Sequence, residues 1–150
     1  MENSLSILNQ TKGKLPNLPF VLLKNDILGE KYSLSIAFIG EKKSKEINFK
    51  YRGKNNPTNI LSFPLSKTEG EILICPNVVK TQLKLWNKNY RDFTGFLVIH
   101  GMLHLKGMEH GAIMEKAEKK YDQKYFYRNR RGNNHDENSS GRIPKRTNKS

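Results

Sequence analysis

The segment YSLSIAFIG alternates apolar and polar side chains, with Tyr32, Leu34, Ile36 and Phe38 in phase, and a period of two predicts a half-buried strand. NILSFPL and GEILIC read as two more strands. Only the short linker SKTEG separates them, so an antiparallel hairpin is the economical connection. Ser4 to Leu8 adds a further candidate strand. SKEINFKY, between the strands, has helical character, and Gly53, Asn55, Asn56 and Pro57 bring that helix to a stop. After the hairpin, Asn77 is placed to cap a helix in which Val78, Val79, Gln82, Leu83 and Trp86 recur at helical spacing, with Trp86 in the core.

TGFLVIHGMLHL, starting from Thr94 as a cap, is apolar nearly all the way round, as expected of a helix buried on several sides. Gly107 is the expected end of that helix. Downstream, Ile113, Met114, Ala117, Tyr121 and Tyr125 outline the apolar face of a last amphipathic helix, with Glu115, Glu118, Lys119 and Lys120 largely on the other face. No internal repeat is visible. From Arg128 onward, RNRRGNNHDENSSGRIPKRTNKS has almost no large apolar residue and reads as a basic, disordered tail. The division is therefore a domain over 1–127 and a tail over 128–150.

A chain of 150 residues suits one domain, so one active site is sought. Lys and Arg number 27 against 14 Asp and Glu, a formal charge of +13. The tail holds +5 of it, from seven basic and two acidic residues, and +8 remains on residues 1–127. That excess favours polyanions, nucleic acid first, although an anionic membrane or a ribosomal contact would account for the same charge. Cys75 is the sole cysteine, which excludes an intrachain disulfide and a cysteine-rich zinc site and fits a reducing compartment. MENSLSILNQTKGK lacks the apolar region of an export signal, and no stretch approaches a membrane span. The expectation is a soluble, cytoplasmic protein with no membrane partner.

Three of the four histidines fall in the eleven-residue run HGMLHLKGMEH. On a helix, His100 and His104 lie one above the other, roughly 40° apart around the axis, and both rings can reach one ion. His110 would lie about 15 Å along that axis from His100 if the helix continued, so the chain has to turn back. Gly107 allows that turn, because glycine takes a left-handed conformation without a Cβ penalty. Three neutral imidazoles without a thiolate resemble a catalytic zinc site, with a fourth position left for water. Gly101 stands where a metalloprotease helix carries its Glu base, which counts against peptidase chemistry.

HGMLHLKGMEH resembles the signature of the YbeY family of metal-dependent endoribonucleases, and YRGKNNPTNILSFP and GEILIC resemble two further blocks of that family, in the same order. The resemblance implies an α+β fold, here a small mixed sheet of about four strands packed with helices, with the metal site on a buried helix and the turn after it. It also implies a single-strand-specific endoribonuclease acting in small-subunit (16S) ribosomal RNA 3′-end maturation and late ribosome quality control. The partners implied are single-stranded RNA, ribosomal RNA and the ribosome; the oligomeric state is left open. By the same resemblance His100, His104 and His110 match the ligands of one zinc ion per chain, and Arg52 matches a functionally essential arginine. Asn59 stands where the family more often has Asp, Glu109 replaces the usual Asp beside the last histidine, and the basic tail extends past the usual end.

On this reading the metal activates water or a phosphoryl oxygen, and Arg52 offers a planar cationic fork to the scissile phosphate. Lys50, Lys54 and Arg91 are candidates to line an RNA groove, with Tyr51 or Phe63 for base stacking. Glu109 is a candidate to hold His110 or a water, Cys75 is expected to be a buried strand residue, and His135 lies in the tail, outside the catalysis. Two other readings stay open: a ribosome-associated assembly factor with structural zinc, and a zinc hydrolase acting on a small molecule or peptide.

Overall fold

The computed structural model describes residues 4–126; the expected basic tail lies outside them. In chain order the elements are β1 (Leu5–Asn9), α1 (Phe20–Ile27), β2 (Ser33–Phe38), α2 (Glu41–Arg52), β3 (Ile60–Ser66), β4 (Glu69–Ile74), α3 (Pro76–Thr81), α4 (Leu83–Trp86), α5 (Tyr90–Leu105) and α6 (Ala112–Tyr125). The sheet order is β1-β2-β4-β3. β2 is parallel to both β1 and β4, and β3 pairs antiparallel with β4. The expected hairpin is therefore present inside a mixed, four-stranded α+β sheet.

The period of two sorts the side chains to two faces. Leu34, Ile36 and Phe38 of β2, Ile60 of β3, and Ile72 and Ile74 of β4 join Leu23 and Ile27 of α1 and most of the apolar surface of α5 in one large core. Leu61 and Leu73 point the other way and pack with Ile39, Phe63 and Ile47 of α2 in a smaller cluster. Buried apolar surface contributes roughly 25 cal/mol per Å², so the larger core carries most of the stabilisation. Its centre is α5, whose residues from Asp92 to Leu103 are all buried.

α5 lies close to the sheet because Gly101 lets it. A Cβ there would sit 3.1 Å from the Ile60 and Ile72 Cδ1 atoms and from Ser62 Oγ, tight enough that neighbours would have to give way. The glycine between the first two histidines thus has a packing reason.

Several local expectations need correction. FVLLKNDI, to which no element was assigned, forms α1. The helix after the hairpin starts one residue before Asn77, with Pro76 in its first turn, and breaks at Gln82 into α3 and α4. Pro76 suits a first turn, where the missing N–H has no helical partner to lose, so Asn77 is inside the helix and caps nothing. Trp86 is half-buried and stacks on Phe93 at 5.3 Å between ring centroids. Asn89, not Thr94, caps α5: its side chain accepts from the Asp92 N–H. Thr94 lies inside the helix and donates Oγ1–H to the Tyr90 carbonyl at 2.7 Å. On α6, Ile113 is 77 % exposed while Glu118 is 2 % exposed, the reverse of the expected faces for those two residues.

Candidate metal centre

α5 ends in a tight turn that keeps the chain near the helix axis. The Met108 N–H donates to the Leu103 carbonyl at 3.0 Å and the Gly107 N–H to the His104 carbonyl at 2.9 Å. Gly107 takes a φ of +105°, the left-handed region that the expected reversal required. The chain then runs back through His110 into α6, which packs against α5.

This hairpin brings the three histidines together. Their candidate ligand atoms all lie within 4.8 Å of one another, and the group could hold a metal ion. The ring centroids of His100 and His104 are 4.5 Å apart, those of His104 and His110 4.7 Å, and those of His100 and His110 5.3 Å. Burial falls across the set: His100 is buried, His104 half-buried and His110 exposed. One side of the group therefore opens to solvent.

Hydrogen bonding decides which nitrogens are free. His104 Nδ1 lies 3.1 Å from the Met108 carbonyl oxygen, which can only accept, so Nδ1 carries the proton and Nε2 the lone pair. That Nε2 is buried and has no hydrogen-bond partner. A buried acceptor left so costs about 1–3 kcal/mol, an expense that a metal bond would remove. His100 Nδ1 lies 2.6 Å from Glu118 Oε2, which leaves its Nε2 for the same region. The two inner rings are thus presented in the form a divalent cation binds. Burial first, and then the neighbouring His100 and His110, push the His104 pKa down to about 4, so this ring is neutral at pH 7.

The other candidate residues are placed as follows. Arg52 is the last residue of α2, partly buried, and burial lowers its guanidinium pKa without bringing it near neutrality. Gly53, at a φ of +72°, closes α2 directly after it. The loop from Gly53 to Asn59 is clamped to α2: Ser44 Oγ and Thr58 exchange hydrogen bonds at 2.9 Å, and Asn48 Nδ2 donates to the Asn56 carbonyl at 2.8 Å. That clamp fixes where Arg52 emerges. Tyr51, 60 % exposed, meets Phe63 at 5.2 Å between centroids, with Lys50 Nζ 5.4 Å from the Tyr51 ring. Lys54 is exposed.

Arg91 is occupied elsewhere. It donates to the Asn17 carbonyl, pairs with Asp92, and lies over the Phe126 ring, holding the N-terminal end of α5 rather than facing a groove. Asn59 donates to Gln82 Oε1 at 2.8 Å, a structural contact between the loop and the α3–α4 break. Glu109 is exposed. Cys75 is buried just after β4, where burial pushes its thiol pKa up, and it does not belong to the histidine group. Glu118, read from the sequence as a solvent-facing charge, was the missed residue of the site.

Comparison with known proteins agrees with this geometry. The family model described as Endoribonuclease YbeY matches residues 10–128. A protein from Thermodesulfovibrio yellowstonii named Endoribonuclease YbeY is 39 % identical over 122 residues, covering 77 % of this chain and 74 % of that protein. One of the same name from Francisella philomiragia is 30 % identical over 131 residues, covering 77 % of this chain and 83 % of its own. Another from Buchnera aphidicola, on Acyrthosiphon pisum, is 36 % identical over 99 residues, which span 58 % of this chain and slightly under two thirds, 64 %, of that protein. A solution structure from Thermotoga maritima superposes with a TM-score of 0.60 at 26 % identity, covering 86 % of this chain and 93 % of the other.

Proposed function

The chain belongs to the endoribonuclease YbeY family, and from that premise we propose that it is a zinc-dependent endoribonuclease specific for single-stranded RNA. In this reading it acts in 16S ribosomal RNA 3′-end maturation and ribosome quality control, in the cytoplasm. The observation that carries it is the buried, unpartnered His104 Nε2 facing two further imidazoles. A set of three neutral nitrogens without a thiolate suits zinc with a position left for a reactant. Among the described residues no helix is long and apolar enough to cross a membrane.

The chain's own residues do the following. His100, His104 and His110 hold the ion, with the Met108 carbonyl fixing the His104 ring. When bound, zinc supplies Lewis acidity toward a phosphoryl oxygen or a coordinated water. Arg52 binds the scissile phosphate through its planar fork and stabilises the charge that builds up there, an effect often worth a few kcal/mol. Its backbone position at the end of α2 is fixed by the Gly53 C-cap and by the loop clamped to Ser44 and Asn48. The formal charge of +13 draws the RNA backbone in.

The test compares zinc content and cleavage of a labelled single-stranded RNA across wild type, His104→Ala and Arg52→Lys. His104→Ala should lose zinc and cleavage together. Arg52→Lys should keep its zinc and cleave about 10²–10³-fold more slowly, the usual cost of losing one oriented donor to the transition state. Equal cleavage by His104→Ala would end the metal reading, and RNA binding without turnover in the wild type would favour an assembly factor.

A further inference from the structure

The apolar face of α6 repeats every fourth residue: Met114, Glu118, Asp122 and Phe126 are all buried. Two of these four are acids, and each is met by a cation or an imidazole from outside α6. Asp122 pairs with Lys88 at 3.4 Å, while Glu118 Oε2 meets His100 Nδ1 at 2.6 Å across the α5–α6 interface. Burying a carboxylate is costly unless its charge is answered. A hydrophobic residue would fill the same space on α6 without that penalty.

We propose that Glu118 is a positioning residue of the metal centre: its carboxylate holds the His100 ring with Nε2 turned to the ion and lends the site a buried negative charge. The inference rests on the reading that the three histidines hold a metal. The carboxylate oxygen accepts a hydrogen bond from Nδ1–H, so the tautomer is fixed with the lone pair on Nε2. The same hydrogen bond makes that nitrogen a stronger donor to a cation, as carboxylate partners of metal-bound histidines do. Glu118 itself is 2 % exposed, so the carboxylate sits inside the α5–α6 interface and not in solvent. His104 receives its orientation from a neutral carbonyl, so among these two inner ligands only His100 is backed by a carboxylate.

The experiment uses the full chain. Zinc affinity is measured by competition with a chromophoric chelator, the visible absorption of the cobalt(II)-loaded protein is recorded, and the metal-free form is unfolded in urea. Glu118→Gln, which keeps the shape and removes the charge, should bind zinc about 10–100-fold more weakly and shift the cobalt bands. Its metal-free unfolding midpoint should stay close to that of wild type, a separation that a purely structural role would not produce. Glu118→Asp should fall between the two in affinity. Wild-type zinc affinity and cobalt spectrum in Glu118→Gln, with metal lost from His104→Ala, would overturn the role of Glu118 alone. Wild-type metal binding by His104→Ala would overturn the three-histidine reading and this one with it. If Glu118→Gln does not fold, Glu118→Asp decides, since an affinity equal to wild type after withdrawing the carboxylate by one methylene overturns the proposal.

Discussion

His104 is set up to refuse a proton. Its Nδ1–H is committed to the Met108 carbonyl and its Nε2 is buried beside two other imidazoles, so the charged ring is disfavoured and the pKa falls to about 4. In the unfolded chain the ring titrates near 6.5. The unfolded state therefore binds the proton first, and the stability of the metal-free fold, full above pH 6.5, declines as pH drops toward 4. Urea unfolding in the presence of a chelator should show that decline, and His104→Asn, which can still donate to Met108 but does not titrate, should flatten it. An identical pH slope in both proteins would mean that the ring is not the titrating group. The three histidines were legible at this scale, because a four-residue spacing followed by a glycine has few other uses on an apolar helix. Glu118 was not, because a charge on an amphipathic helix is ordinarily read as solvated. The signal lay in its spacing from Met114 and Phe126, which puts it on the buried stripe.

At the scale of elements, the site is a product of how closely α6 lies on α5. Gly95 faces the buried Phe126 ring, and a Cβ at that position would run into it. Alanine ordinarily favours a helix over glycine by about 0.5–1 kcal/mol, but overpacking a rigid ring costs about 1–3 kcal/mol. Gly95→Ala should therefore lower stability, and Phe126→Leu in the same chain should recover part of the loss, both read from urea midpoints. A rise in stability in Gly95→Ala would show that the interface yields easily. The strands β2, β3 and β4 were readable because alternation survives wherever one sheet face meets a large core. α1 escaped notice because the exposed Val21 and Leu22 blur the phase that Phe20, Leu23 and Ile27 keep toward the core, and Pro19 precedes it without a side-chain cap. The capping errors share one cause: Asn77 and Thr94 have the right chemistry, but Pro76 and Asn89 stand closer to where packing begins each helix.

At the scale of the whole molecule, the sheet and the metal centre come from different parts of the chain. All four strands are complete by Ile74, whereas the histidines and Glu118 lie between residues 100 and 118, on one helical hairpin laid across the finished sheet. The mixed sheet was expected from the family resemblance and not from local pattern, since pairing partners such as β2 and β4 are far apart in sequence, and the packing of Ile47 of α2 on its second face was not foreseen. The compactness of the metal hairpin has a thermodynamic consequence. Because short loops separate the imidazoles, the unfolded chain needs little closure entropy to gather them again. It keeps some affinity for the ion, and whatever binds both states stabilises the native one by less than its full binding free energy. The rise in melting temperature on adding zinc should therefore fall short of that calculated from chelator-competition affinity, whereas full agreement would mean that the denatured chain ignores the metal.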